Sequence, residues 1–554
     1  MTNTMLTLFD AGRLAEHTAS GHWRNETIYA LAAARALVAP DANAVRDRRR
    51  RLTYRELVAA ADCLAADLTR RGVRRGERIA VWLRSSVETA VAVLAASRNG
   101  FVVCTSLHRD HTVAEVVGLV RRMRAAAVLV APDFGADADR HDILAALDAL
   151  DFIRHVYRVE AGAAHFPWQM PRKGAEMLAA PNADPNHVMY LPFTSGTTGS
   201  PKGVLHSDNT LLATARCLVA DWHLDDRQVV YTMSPLSHNL GLGAFIASIV
   251  AGAELVVHDT AKGESVLDRL TETGATFLFG VPTHAIDLLA ELRQRGEARL
   301  GSVRAFRISG AASPSEVIEA LMRHGVIPQS GYGMTETCSH QYTLPDDDPK
   351  LISETCGRSC DGYEIRIWRQ DNPDVEAPLG EIGQIGGRGA SLMLGYFDDQ
   401  ESTETSFNTD GWFMTGDLGW MDENGYLRIT GRKKDVIIRG GHNIYPSKIE
   451  NLAAGHPRIE IAAAFPVADV RLGERVCLAV LPRDGAEIDP EEILRFLDEV
   501  GLSRYDMPEY MLVLDDVPLT ASGKIMKRDL IDSVAGGRLR PVPVRFVPQQ
   551  RAAS

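Results

Sequence analysis

Cysteine is scarce: seven in 554 residues, at positions 63, 104, 217, 338, 356, 360 and 477. So few thiols in so long a chain build no disulfide framework, and the pair Cys356-x3-Cys360 lacks the second ligand pair that a zinc site requires. Reduced thiols in a cytoplasmic protein are therefore expected. Long apolar runs are missing as well. The most apolar tract, 245 to 257, is interrupted by Gly252 and Glu254 and falls short of the roughly 20 residues that span a bilayer. The stretch 1 to 17 carries Asp10 and Arg13 and holds no apolar core of signal-peptide length. Neither a membrane span nor secretion is expected. Basic residues are not in excess: 60 Lys and Arg stand against 72 Asp and Glu, a formal net charge of -12 with no basic tract. That balance argues against a nucleic-acid partner. The spacing Gly-x4-Gly-Lys-Ser/Thr of a Walker loop is also absent, which disfavours a P-loop kinase or ATPase.

What is present is the composition of a large globular protein, 45% hydrophobic and 24% charged. At about 150 residues per domain this length implies more than one domain. Thr53 and Glu56 have capping-box spacing ahead of a helix, and 78 to 83 reads as a strand. Residues 86 to 97 are predicted helical. Val113, Val116, Val117 and Val120 then recur at helical spacing before the apolar strand 127 to 131. Further strands are predicted at 229–232, 254–257, 276–279 and 305–308, separated by segments long enough for crossover helices. The fold class is α/β, with helix-covered parallel sheets. From about Glu364 short strands and Gly-rich turns imply a β-rich lobe, and the residues after Gly431-Arg432-Lys433-Lys434-Asp435 are enough for a small α/β domain. The boundary is placed at Lys434, giving domains 1–433 and 434–554.

The stretch around which the chemistry gathers is Thr194-Ser195-Gly196-Thr197-Thr198-Gly199-Ser200-Pro201-Lys202-Gly203. It lies between the apolar strand 188–191 and a helix at 211 to 220. Its glycines allow close backbone approach, its hydroxyls donate hydrogen bonds and Lys202 is a compact cation, so it suits a polyphosphate. Four other segments offer matching chemistry. In Gly331-Tyr332-Gly333-Met334-Thr335-Glu336 an aromatic can stack on a purine, a hydroxyl can meet phosphate and a carboxylate can hold Mg²⁺. Asp417, at the end of Asp410-Gly411-Trp412-Phe413-Met414-Thr415-Gly416-Asp417, can accept hydrogen bonds from ribose, and Arg432 can contact ribose and phosphate. The last is Pro518-Leu519-Thr520-Ala521-Ser522-Gly523-Lys524-Ile525, a glycine-flanked lysine on a loop. Taken singly, each has an ordinary structural reading as a turn or a solvated side chain.

Together and in this order, the five segments resemble the adenylate-forming (AMP-binding) superfamily of acyl-CoA synthetases, peptide-synthetase adenylation domains and firefly luciferases. The resemblance covers roughly residues 25 to 530. It implies a large N-terminal domain and a small, mobile C-terminal domain that bind ATP and a carboxylic acid at their junction. Thr194, Ser195, Gly196, Thr197, Thr198, Gly199 and Lys202 are then expected to hold the β- and γ-phosphates. Tyr332, between Gly331 and Gly333, is expected to stack on adenine beside Gly310 and Ala311, and Asp417 and Arg432 to bind ribose. Thr335 would touch the α-phosphate, Glu336 would order Mg²⁺ and Lys524 would bridge the attacking carboxylate and the α-phosphate. Lys434 is the implied hinge, and Gly440, Gly441 and His442 the implied passage for the pantetheine arm of CoA.

His238 matches the family's position at the mouth of the acyl pocket, with Asn239 and Gly333 beside the acid. Asn239 resembles dihydroxybenzoate-AMP ligases, whereas the N-terminal half is closer to cyclohexanecarboxylate-CoA ligases. Ala311-Ala312 replaces the usual glycine after Gly310, and Met414 stands where arginine is common. The expected activity is AMP-forming ligation of a cyclic, aromatic or medium-chain carboxylate to CoA, with ATP and CoA as co-substrates. A homodimer is one assembly the resemblance allows. An aryl-acid AMP ligase loading a separate carrier protein is the alternative enzyme, and a catalytically silent adenylate-binding regulator the alternative of another class.

Overall fold

The computed structural model of the chain describes residues 5–8, 10–160, 165–168, 179–194, 201–260, 263–310, 313–440, 442–519 and 525–546. Among these residues two large sheets dominate the N-terminal part. The first runs Val188–Tyr190, Val102–Cys104, Arg78–Trp82, Ala125–Val130, His155–Arg158 in parallel, with His206–Ser207 antiparallel at one edge. The second is parallel through Glu254–Val257, Val229–Thr232, Phe277–Gly280, Ala305–Ile308 and Ile327–Met334, and gains antiparallel strands at both ends. Strands of such sheets are covered on both faces and so read as near-continuous apolar runs.

Two helices, Val87–Asn99 and Asn239–Ala251, are buried on nearly every side, the first with Glu88 and Arg98 among its buried side chains. The second is apolar almost all round, and the core is where a helix without a polar face must lie. Both belong to the main core, which joins the inner faces of the two sheets. The predicted capping box is present: Thr53 and Glu56 cap Tyr54–Arg70 reciprocally. The apolar tract 245 to 257 divides into the end of one buried helix and a strand, and no described helix is long and apolar enough to cross a membrane.

The β-rich lobe is a four-stranded antiparallel sheet, Tyr363–Trp368, Gly383–Gly389, Phe413–Met421 and Leu427–Arg432. Beyond Arg432 the chain makes one 3₁₀ turn, Lys433–Asp435, and Ile437–Arg439 joins a different sheet with Gly473–Pro482 and Tyr510–Val513. One expectation needs correction. The phosphate-loop segment does not pass directly from strand to helix, because Phe193–Thr194 and Lys202–Gly203 pair as a two-stranded hairpin first. Strands of two residues carry no alternation that a sequence pattern can register.

Candidate functional site

The hairpin joining Ile327–Met334 to Cys338–Tyr342 carries Thr335 and Glu336 at its tip. Its strands approach closely at Gly333, where a Cβ would stand 2.0 Å from the Cys338 carbonyl oxygen. Glycine is therefore required there by contact. The Thr335 carbonyl accepts a hydrogen bond from His206 Nε2 at 2.7 Å. Burial pushes the His206 imidazole down to about 4, so the ring is neutral with its proton on Nε2. Gly310, with φ of 97°, turns the chain after Ala305–Ile308 in a conformation that favours glycine.

Three separately predicted residues meet. Tyr332 donates its hydroxyl to Asp417 Oδ2 at 2.8 Å, and Arg432 Nε lies 3.3 Å from Asp417 Oδ1. Asp417 and Arg432 face each other across adjacent strands of the β-rich lobe. The phenol and carboxylate are buried, whereas Arg432 remains open to solvent. Burial, reinforced by the charge of Asp417, holds the Tyr332 phenol far above its ordinary range.

A second group forms around Glu336. Tyr396 donates its hydroxyl to Glu336 Oε1 at 2.9 Å, and the Lys202 ammonium sits 4.7 Å from the centre of the same tyrosine ring. Burial raises the Glu336 carboxyl above its ordinary value; hydrogen bonds from backbone and Tyr396, and then the Lys202 charge, oppose that rise. Tyr396 was not anticipated from sequence. It arrives because residues 394–397 pair with 203–205, through Leu205 N to Gly395 O at 3.0 Å and Phe397 N to Gly203 O at 2.7 Å. Thr194 pairs with Lys202 at the base of the phosphate-loop hairpin. Ser195, Gly196, Thr197, Thr198 and Gly199 lie outside the described residues, as do Ala311, Gly441 and Lys524.

The expected acyl positions separate. His238 caps the helix Asn239–Ala251, its Nδ1 accepting from Leu240 N at 3.3 Å. Asn239 lines a pocket whose walls include Leu211, Leu218, Leu240, Phe279 and Arg307. Gly331 backs onto the Arg307 guanidinium, 3.5 Å from where its Cβ would stand. Tyr332, on the opposite face of the same pleated strand, reaches Asp417. Lys434 occupies the 3₁₀ turn and is exposed. Gly440 follows the strand Ile437–Arg439, whose antiparallel partner begins at His442, and His442 pairs with Asp506 at 3.0 Å.

Metal fit can be read from Glu336. Among the described residues no three His, Cys, Asp or Glu side chains gather as a metal cage. A buried carboxylate near the Lys202 charge fits instead the manner in which Mg²⁺ is commonly held, by one or two carboxylates together with substrate phosphates.

Parallel sheets meeting a β-rich lobe, with Lys202, the hairpin carrying Tyr332 and Glu336, Asp417 and Arg432 brought together from four segments, form an architecture suited to a nucleotide. Residues 32–397 match the AMP-binding enzyme family and residues 448–524 the AMP-binding enzyme C-terminal domain. The chain belongs to the AMP-binding enzyme family. It is 32% identical to the medium-chain fatty-acid–CoA ligase of Escherichia coli (strain K12) over 537 residues, covering 95% of this chain and 94% of that one. It is also 32% identical to the indoleacetate–CoA ligase of Aromatoleum aromaticum, covering 90% of this chain and 96% of the relative. The crystal structure of ATP-bound MatB from Rhodopseudomonas palustris aligns with a TM-score of 0.79 at 28% identity, covering 92% of this chain and 99% of that one.

Proposed function

We propose that the protein is an AMP-forming carboxylic acid–CoA ligase that takes a cyclic, aromatic or medium-chain acid. The observation that carries this reading is the convergence of Tyr332, Asp417 and Arg432 beside Glu336, Tyr396 and Lys202. Adenine stacks against Tyr332, whose ring is oriented by its bond to Asp417. Asp417 and Arg432 hold the ribose, and Lys202, with Thr194 to Gly199, holds the β- and γ-phosphates. Thr335 meets the α-phosphate. Mg²⁺, when bound at Glu336, supplies positive charge to the phosphate oxygens.

In the first step an acid oxygen, already ionised at neutral pH, forms a bond to the α-phosphorus as the bond to the bridging oxygen of pyrophosphate breaks. Lys524 lies between the two anions and offsets their repulsion. In the second step the CoA sulfur bonds to the acyl carbon, the carbon–oxygen bond to AMP breaks, and the thiol proton passes to solvent. The units 1–433 and 434–554 rotate about Lys434 between the steps, which brings the hairpin at Gly440, Gly441 and His442 to the pantetheine arm. A change of sheet between Arg432 and Ile437 supports a hinge at that position. We place the enzyme in the cytoplasm, in keeping with seven free thiols.

Lys524→Ala tests the assignment. Acid-dependent pyrophosphate release is expected to fall by about 100-fold or more, while CoA thioester formation from a supplied acyl adenylate stays within a few-fold of wild type. Equal loss in both half-reactions would overturn the role.

A further inference from the structure

Among the described residues Arg307 is a buried cation that faces no buried anion. It lies in the strand Ala305–Ile308, lines the same pocket as Asn239, and is 1% exposed. Among the described residues its guanidinium donates to Gln329 Oε1, across the strand pair Arg307↔Gln329, and to the Ser339 carbonyl at 3.2 Å, and it lies 5.0 Å from the centre of the Tyr342 ring. These partners are neutral, and no ion pair to Arg307 occurs among the described residues. Burial lowers its pKa only to about 10, so it remains a cation at neutral pH.

The surroundings reinforce the imbalance. Gln329 must turn its oxygen to the guanidinium, and this leaves Nε2 buried without a partner. His340, next to Ser339, is buried with both ring nitrogens unpartnered; burial and the Arg307 charge push it down to about 3, so it is neutral. Arg307 thus sets one fixed positive charge in the wall of an otherwise largely apolar pocket, and the buried groups around it bring no negative charge. A buried charge is costly unless it is paired, and the planar fork of arginine matches a carboxylate. Gly331 lies against it, a Cβ there standing 3.5 Å from the guanidinium.

We propose that the acid activated by this enzyme carries a second carboxylate, which enters the Asn239 pocket and pairs with Arg307. The proposal rests on the reading of the protein as an acid-activating ligase and names the class of acid. A fatty acid or unsubstituted ring would leave the guanidinium uncompensated and would bury apolar atoms against it. A hydroxyl or ketone would satisfy hydrogen bonds but not the charge.

The test measures kcat/KM for acid-dependent pyrophosphate release by the full chain with ATP and Mg²⁺. Its arms are dicarboxylic acids of roughly four to eight carbons and benzenedicarboxylates, their monomethyl esters, ω-hydroxy and oxo acids, and monocarboxylic acids of equal length. For the wild type the best diacid is expected to exceed its own ester and matched monoacid by about 100-fold. Arg307→Met is expected to remove that preference, lowering the diacid value by about 100-fold while leaving or raising the monoacid value. Wild-type preference for a monoacid, ester, hydroxy acid or oxo acid overturns the proposal, and so does an equal loss on every acid in Arg307→Met. The wild-type comparison decides the matter if the variant does not fold. Release with monoacids alone leaves the ligase reading standing and sinks the diacid assignment, whereas no release with any acid overturns both.

Discussion

Burial lifts the Glu336 carboxyl against the hydrogen bonds and the Lys202 charge that oppose it, and its variants separate function from stability. Its folded-state carboxyl lies above the ordinary glutamate value, so the folded protein binds that proton more tightly than the unfolded chain. Stability therefore declines as pH rises from the ordinary value through the raised one, and stays lower above it. Glu336→Gln is expected to cut adenylation by about 100-fold or more. Its melting temperature is expected to be no lower than wild type at neutral pH, with any gain shrinking as pH falls through that window; pyrophosphate release and melting curves across pH check both. Tyr396→Phe removes one hydrogen bond to the carboxylate, so the acid limb of its pH–rate profile is expected to move to higher pH. Glu336 and Asp417 were legible from local sequence because they sit in short motifs with recognisable chemistry. Tyr396 was not, since nothing in Gly395-Tyr396-Phe397 indicates that it pairs with 203–205.

At the scale of elements, the strands Val229–Thr232, Glu254–Val257 and Ala305–Ile308 fall where the apolar runs predicted them. The phosphate-loop hairpin was missed, because its arms are too short to carry a pattern. The helix Asn239–Ala251 ties packing to the pocket that Asn239 lines. A Cβ on Gly241 would stand 2.2 Å from the Pro235 carbonyl oxygen and 2.5 Å from that of Ser234. Neither backbone group can yield without moving the turn that delivers His238 and Asn239. Gly241→Ala is expected to destabilise the protein by about 1–3 kcal/mol. It should also raise KM for the acid more than KM for ATP. Urea denaturation and the two KM values distinguish this from a uniform loss of folded enzyme.

For the whole molecule, the decisive feature is the change of sheet between Arg432 and Ile437, spanned by the single turn that holds Lys434. Proline at position 434 fixes φ and restricts the preceding residue, so it stiffens the passage between the two units. Lys434→Pro is expected to leave adenylation within a few-fold of wild type and to slow thioester formation by about tenfold or more. Single-turnover measurements of each half-reaction check this, and equal rates in both would argue against a hinge there.

The linear sequence by itself identified the family. The segment 194 to 203, Tyr332 to Glu336, Asp417, Arg432 and Lys524 each read singly as an ordinary turn or solvated side chain, and it is their order that points to AMP-binding enzymes. It determined the parallel α/β architecture too, since periodicity is a local property. Only the tertiary structure decided what surrounds each charge. Arg307 reads in the chain as one polar residue in an apolar strand; packing places it at 1% exposure beside the pocket that Asn239 lines, with neutral partners among the described residues. Compensation of a charge depends on every group brought near it, and those groups come from positions far apart in the chain.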